Sequence, residues 1–294
     1  MAPLPRLKMV GVRRLISNAE PTHRFKIISM RSQSFGPAIR KRLWVGLLLV
    51  LARVQVLSAR RFLRSQPKPD LPTLGLMSTL PLQWSEGGIE AAVAADAAPH
   101  PVYARLAASY RIVPIDNLAA INDKRLSVLM LAQPRALSPQ EFVTLDRWVM
   151  RGGRVLILAD PALMWGSLYP LGDKRRPLFT SLLSPLFSHW GLELVLPIDE
   201  KQPLAEIEID GLRVRTQTPG EWQIMGGSCK IARPPVLADC KIGKGRALMV
   251  SDADLLDSAY WEGRGVRAIT ATDEFDNMQW IEALLLARRK DRKA

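Results

Sequence analysis

The sequence has few of the residues that build thiol and metal sites. Cysteine occurs twice (Cys229, Cys240) and histidine three times (His23, His100, His189) in 294 residues. Two thiols exclude a disulfide-rich scaffold and are too few for a zinc ribbon. The histidines stand singly, without the paired spacing of metal ligands, so neither a metal nor a cofactor is expected. No internal repeat is visible. Acid is almost missing from the N-terminal quarter: residues 1–68 carry 15 Lys/Arg against Glu20 alone. The remaining 226 residues are close to neutral, with 26 Lys/Arg and 27 Asp/Glu, and the basic tail 288–294 leaves the body between leader and tail acidic. A nucleic-acid-binding domain carries its positive charge on the folded surface. Here the charge sits in the leader and tail, so no nucleic-acid partner is expected. Hydrophobic residues at 48% and charged residues at 23% fit a folded core and exclude a largely disordered chain.

A long uninterrupted apolar run is also missing. Residues 43–59, LWVGLLLVLARVQVLSA, form a 17-residue apolar segment broken by Arg53. Crossing a bilayer core takes about 20 apolar residues, with a range of roughly 17–25. The segment fits a membrane signal-anchor at the lower limit; a cleaved signal peptide and a soluble helix are the alternatives. Ten Lys/Arg precede it in the leader 1–42 and four follow closely (Arg60, Arg61, Arg64, Lys68). The positive-inside rule then puts the N-terminus in the cytoplasm and the body outside, on the inner membrane and facing the periplasm, with a cytoplasmic body as the alternative. Leu57-Ser58-Ala59 departs from a small-x-small cleavage site, which favours a retained anchor. Residues 60–70, containing Gln66-Pro67-Lys68-Pro69, read as a linker.

The body, residues 71–287, alternates strand and helix patterns. Residues 71–80 read as a buried strand ending in Ser78-Thr79. Residues 88–98 and 100–110 are alanine-rich and helical, and 111–115 and 125–132 are strands. Ser138, Pro139 and Glu141 make an N-cap, a first-turn proline and a capping box. The helix they open ends at Gly152-Gly153. Residues 154–160 form a strand apolar enough to be covered on both faces. Residues 178–190 read as a helix with Leu178, Phe179, Leu182, Leu183, Leu186, Phe187 and Trp190 on one stripe, kinked or divided at Pro185. Residues 192–196 are a further strand. Residues 205–216 switch to period two around Asp210-Gly211, a hairpin signal, inside a small β insertion at about 198–235. A strand and an acidic turn follow at 245–256, and a helix at about 276–289. This order predicts an α/β fold: a mostly parallel open sheet flanked by helices, flavodoxin-like or glutamine amidotransferase-like, with a β insertion.

In such sheets ligands bind beyond the carboxyl ends of the strands. Ser78, Asp160 and Asp252 fall at those ends and are expected to meet there, with Asp254 close by. Arg175 and Arg176, after Gly172-Asp173, suit a phosphate or an acidic partner. Ser78, Asp160, Arg175, Arg176, Asp252 and Asp254 are thus the candidate ligand-binding residues. The alternative for the aspartates is that they cap turns and helices; for the arginines it is a solvated loop. No strand end is followed by a nucleophilic cysteine elbow, and His189 has no Cys or Ser partner at a recognisable spacing, so no catalytic residue is assigned. Gly243-x-Gly245 reads as a tight turn lacking the rest of a phosphate loop. Trp84, Trp165 and Trp222 fit sugar stacking or core packing. Cys229 and Cys240 are either two ordinary small residues or a disulfide.

The run LMLAQPRALSPQEFVTLDRWVMRGGRVLILADP (129–161), with PLGDKRRP (170–177), GKGRALMVSDADLL (243–256) and DNMQWIEALL (276–285), resembles the extracytoplasmic domain of gliding-motility-type (GldG-like) auxiliary proteins of ABC transporters. The resemblance spans about residues 71–287. It implies a class I glutamine amidotransferase-like fold without the catalytic cysteine. It also implies a non-catalytic component that binds a ligand or partner, with transporter permease and ATPase subunits as partners. A hydrolase using the strand-end carboxylates and a cytoplasmic scaffold are the competing expectations.

Overall fold

The computed structural model describes residues 71–83, 86, 99–123, 125–197, 204–263 and 273–286. The leader, the 43–59 segment, the linker, the helix expected at 88–98 and the basic tail lie outside these residues, as does Trp84. Among the described residues no helix is long and apolar enough to cross a membrane.

The elements follow the hydrophobic periods of the sequence. They are β1 (Thr73–Ser78), α1 (Pro101–Ser109), β2 (Arg111–Pro114), β3 (Val128–Ala132), α2 (Pro139–Met150) and β4 (Arg154–Leu158). Then come α3 (Ser184–His189), β5 (Leu192–Val195), β6 (Leu204–Ile209), β7 (Leu212–Gln217), β8 (Glu221–Ile224) and β9 (Cys229–Ile231). The last elements are β10 (Leu237–Ile242), β11 (Gly245–Val250), α4 (Ser258–Trp261) and α5 (Asn277–Leu286). Seven strands form one sheet in the order β2-β1-β3-β4-β11-β10-β9. The first five of these run parallel, and β10 and β9 close one edge antiparallel. The fold is therefore the mostly parallel open α/β sheet that the alternation of strand and helix predicts.

Both faces of the sheet are covered, which is why β3 is apolar at every position and fully buried. On one face Leu106 of α1 and Met278, Ile281 and Leu285 of α5 pack with Leu74, Met130, Leu156 and Val250. On the other, Leu145 and Val149 of α2 and Phe187 of α3 pack with Leu129, Leu131, Ile157 and Met249. The α2 start is locally determined: Ser138 Oγ accepts the Glu141 N–H, and the Glu141 carboxylate accepts the Ser138 N–H. Glu141 also takes a 2.6 Å bond from Arg135 and a 3.0 Å bond from the Leu118 N–H. These donors hold its carboxyl down at about 2, the Arg135 guanidinium being the main cause.

One expectation needs correction. The helix expected at 178–190 exists only as Ser184–His189, and Phe179 and Leu182 are exposed instead of facing a core. Pro185 explains it: with no N–H and a ring that clashes with the carbonyl four residues back, it fits the first turn of a helix but not the middle. The 192–196 strand forms as β5 but does not join the main sheet. It pairs antiparallel with β8. The β insertion is also less separate than its boundaries suggest. The β6–β7 hairpin turns at Asp210 and Gly211, both left-handed (φ 53° and 76°), as a primed turn requires. Beyond it, β9 pairs with β10 and so adds an edge strand to the main sheet. That register puts Cys229 opposite Cys240, and the two are joined by a disulfide with 4.1 Å between the Cα atoms. The tight turn at Gly243 links β10 to β11; a Cβ at Gly245 would overlap the Val149 and Gly153 carbonyls, so these glycines serve close packing of backbone.

Candidate ligand-binding site at the carboxyl edge

The carboxyl ends of β1, β3, β4 and β11 lie side by side, and each carries a polar residue: Ser78, Gln133, Asp160 and Ser251-Asp252. The structure divides them into two groups with different surroundings.

Asp160, Asp252 and Asp254 form the first group and are sealed from solvent, at 0%, 1% and 0% exposure. Asp160 Oδ1 accepts the Ala162 N–H at 2.8 Å, and its Oδ2 accepts the Ala253 N–H at 2.9 Å and the Asp254 N–H at 3.4 Å. It thereby ties the turn after β4 to the turn after β11. Asp252 Oδ1 accepts the Thr216 hydroxyl at 2.7 Å and the Leu255 N–H at 2.8 Å. Asp254 Oδ2 accepts the Met164 N–H at 2.8 Å. Asp252 Oδ2 and Asp254 Oδ1 are buried with no hydrogen-bond partner among the described residues. Burial dominates their chemistry. It pushes Asp160 up to about 6, although three N–H groups oppose it, and pushes Asp254 up to about 7 with help from the Asp160 charge. Asp252 is raised well above the ordinary range by burial and then by Asp160. Tyr260, which donates to Gln217 at 2.6 Å, is pushed up to about 12 by burial and by these acids. The void beside Asp252 is about 10 Å³, room for about one water and no substrate. The arrangement braces two turns, as capping aspartates do, and in the described structure the carboxyls are closed off from solvent. Among the described residues no cluster of His, Cys, Asp and Glu is arranged to hold a metal.

The second group lines an open cavity of about 560 Å³ beyond β1 and β2. Ser78 and Arg175 are both in its wall, with Gln83, Glu86, Asp116 and Tyr169. The sheet order reverses at β1, whose neighbours are β2 and β3, so the cavity lies next to the switch point where open α/β sheets take ligands. Ser78 is therefore separated from Asp160 and Asp252, which it was expected to meet. Its Oγ accepts the Leu80 N–H at 2.9 Å and fixes the turn after β1. Arg175 lies 4.1 Å over the Tyr169 ring and bonds both carboxylate oxygens of Asp173. Arg176 is outside the cavity wall and donates to the Tyr169 carbonyl at 2.7 Å. Asp116 is placed by Arg135, whose guanidinium donates to the Asp116 carbonyl while also bonding Glu141. The capping box of α2 thus extends to the cavity wall.

Two further residues position this site. Glu86 Oε2 accepts the Ser167 hydroxyl at 3.0 Å and the Leu168 N–H at 2.6 Å, joining the segment after β1 to the loop after β4; its Oε1 is buried and unpartnered among the described residues. Gln133, at φ 42° and fully buried, accepts the Asp160 N–H at 2.9 Å and donates to the Leu178 carbonyl at 2.9 Å. Gln133 is legible only as a strand-end residue, and Glu86 has no sequence signal because its partners lie some 80 residues away. The remaining candidates pack. Trp165 is buried, with its ring 5.3 Å from that of His100, and Trp222 is buried edge-on to Phe187. His100 Nδ1 accepts the Val102 N–H, capping α1, and burial lowers its pKa.

Solved structures with similar coordinates include the exo-β-1,4-mannosidase from Opitutaceae bacterium strain TAV5 (TM-score 0.42, 15% identity, 73% of this chain and 36% of that one). The β-galactosidase from Rahnella sp. R3 gives a TM-score of 0.38 at 15% identity over 73% of this chain and 31% of that one. A thua-like protein from Bacteroides uniformis gives 0.36 at 10% identity over 77% and 96%. The chain spans about a third of the length of the two glycosidases. Likeness at these scores carries no inference about activity. No curated protein matches the chain. Residues 71–195, from β1 through β5, match the family model described as ABC-type uncharacterized transport system, and this supports, over that stretch, the ABC-transport family that the sequence resembles.

Proposed function

We propose that this protein is a non-catalytic auxiliary component of an ABC-type transport system, binding a ligand or partner subunit in the cavity formed by Ser78, Glu86, Asp116, Tyr169 and Arg175. One observation carries this reading: at the carboxyl edge Asp160, Asp252 and Asp254 are sealed, while Glu86, the acid of the open cavity whose contacts are resolved, is spent on the Ser167 hydroxyl and the Leu168 N–H and braces a loop. The family match over 71–195 supports the transport context. The body is extracytoplasmic, held by the 43–59 segment. The pairing of Cys229 with Cys240 favours this placement, since disulfides persist outside the reducing cytoplasm.

The test uses the full chain in its own host. Ser78→Tyr fills the cavity and Arg175→Glu reverses its charge. Both are expected to abolish co-purification with transporter permease and ATPase subunits while unfolding stays cooperative, Ser78→Tyr at a slightly lower temperature for the lost Leu80 N–H bond and Arg175→Glu at an unchanged one. Unaltered co-purification in both variants refutes the cavity as the binding site. Hydrolysis of a glycoside, ester or amide that disappears in Asp160→Asn or Asp252→Asn would establish the enzymatic alternative.

A further inference from the structure

The loop between β4 and α3 has a composition and a posture unlike the rest of the surface. It runs for more than 20 residues without helix or strand, a length that is uncommon inside a compact domain unless the loop has a task. Its neck is closed by two backbone bonds, Ser181 N–H to the Asp160 carbonyl at 2.7 Å and Leu163 N–H to the Phe179 carbonyl at 2.8 Å. Glu86 holds Leu168, Gln133 holds Leu178, and Arg176 holds Tyr169. The loop is therefore a fixed projection.

What it projects is hydrocarbon. Leu168 and Leu171, at its tip, are 80% and 83% exposed, the two largest exposures among the bulky apolar residues of the described chain, and Met164 and Phe179 are exposed at its neck. Compact surface loops are packed by their own side chains, and apolar residues left almost wholly outside such packing, three positions apart on one fixed loop, suit a contact site. Next to the leucines stand Lys174, Arg175 and Arg176. With Asp173 bonded to Arg175, residues 164–183 have a net charge of +2, whereas residues 71–287 as a whole have a net charge of −4. The projection is thus an apolar tip with a cationic collar on an acidic body.

We propose that this loop is a contact site for an anionic bilayer surface, with Leu168 and Leu171 entering the headgroup region and Lys174 and Arg176 meeting lipid phosphates. Charge selects this occupant. Lysine is depleted at the cores of protein interfaces, where apolar residues fill pockets. Projecting leucines ringed by cations match the interfacial region, where tips gain by burial and basic residues gain from the negative surface potential. The inference rests on the proposed placement of the body beside a membrane. It sets the cavity, whose wall includes Tyr169 and Arg175 of this same loop, next to the bilayer.

Leu171→Cys in the full chain, labelled with an environment-sensitive fluorophore, tests it, because the native cysteines are paired. A label at Lys244→Cys, on the turn leading into the amino end of β11, is the control. In nanodiscs of phosphatidylcholine mixed with phosphatidylglycerol, emission from position 171 is expected to shift to the blue and position 244 to remain aqueous. Lys174→Glu with Arg176→Glu is expected to reduce the ratio of shifted to aqueous emission at least about thirtyfold, from about 1 kcal/mol per basic residue near an anionic surface. Aqueous emission from position 171 in the mixed discs overturns the proposal, including when the chain stays with the disc through residues 43–59, which leaves the anchor intact. Release of the chain by carbonate washing, with the shift at 171 present beforehand, removes the anchor and leaves the loop contact standing. An equal shift in pure phosphatidylcholine, or a shift produced only by adding transporter subunits, also overturns it.

Discussion

Asp254→Asn should stabilise this protein at alkaline pH and flatten its pH dependence. In the fold Asp254 is raised from the ordinary aspartate value of 3.8 to about 7, through burial and then the Asp160 charge. The sign follows from proton uptake. Between about pH 4 and 7 the folded chain holds a proton on Asp254 that the unfolded chain has lost. Stability therefore falls as pH rises through that window and stays low above it. Three pKa units correspond to about 4 kcal/mol, an upper figure because Asp160 and Asp252 titrate in the same cluster and share the cost. Asn keeps the acceptor for the Met164 N–H, cannot ionise, and turns an amide donor toward the neighbouring carboxylates. The assay is urea unfolding followed by tryptophan fluorescence at pH 5 and pH 8. The wild type is expected to lose about 2–4 kcal/mol between the two, and Asp254→Asn to lose less than half as much and to exceed the wild type at pH 8. A wild-type stability that is flat or rises over this interval refutes the reasoning. So does an Asp254→Asn variant weaker than the wild type at pH 8.

Asp160→Asn should act in the opposite direction, because both carboxylate oxygens accept backbone N–H groups and an amide nitrogen cannot; a loss of about 1–3 kcal/mol is expected in the same urea assay, and a neutral result would show that the bracing of the two turns is dispensable. Mass spectrometry of the purified protein without reductant should find it two hydrogen atoms lighter than the reduced chain, and Cys240→Ser should cost about 3 kcal/mol, the loop entropy of an eleven-residue separation. A free-thiol signal from the untreated protein would remove the disulfide as support for an extracytoplasmic body. Alkaline phosphatase fused after residue 294 should be active, and an inactive but stably expressed fusion with the chain in the cytosolic fraction would place the body on the other side.

Local chemistry made much of the fold legible. Ser138, Pro139 and Glu141 mark a helix start within four residues, and Asp210-Gly211 marks a hairpin through the left-handed geometry that its two central positions must adopt. The parallel order follows from strands separated by helical segments. What failed was decided at longer range. The apolar stripe at 178–190 satisfies helical spacing, but Pro185 restricts the helix to its second half, and the leftover Phe179 and Leu182 become surface. Strands β8 and β9 are short, and residues 229–231 become a strand because β10 is there to pair with. The sequence leaves the disulfide open for the same reason: the pairing of position 229 with 240 depends on the register of an antiparallel edge that no local pattern specifies.

The candidate site shows the same division more sharply. Strand ends are readable from sequence, so Ser78, Asp160 and Asp252 can all be placed on one edge of the sheet. Which of them faces solvent depends on neighbours far along the chain. Thr216 of β7 bonds Asp252, and Trp280 of α5 lines the small void beside it. With those elements in place the aspartates are interior, and a carboxylate in the interior with an unpartnered oxygen gains from taking a proton. Ser78 sits three strands away from Asp252 in the sheet order, where the loop after β4 stands across an open cavity and not over a closed core. The loop is held at this distance by Glu86 and Gln133, neither of which belongs to a motif. One edge of one sheet thus supplies both a buried carboxylate brace and an open cavity, the proposed binding surface. Variants of the first should move stability with pH, and variants of the second should move association without it.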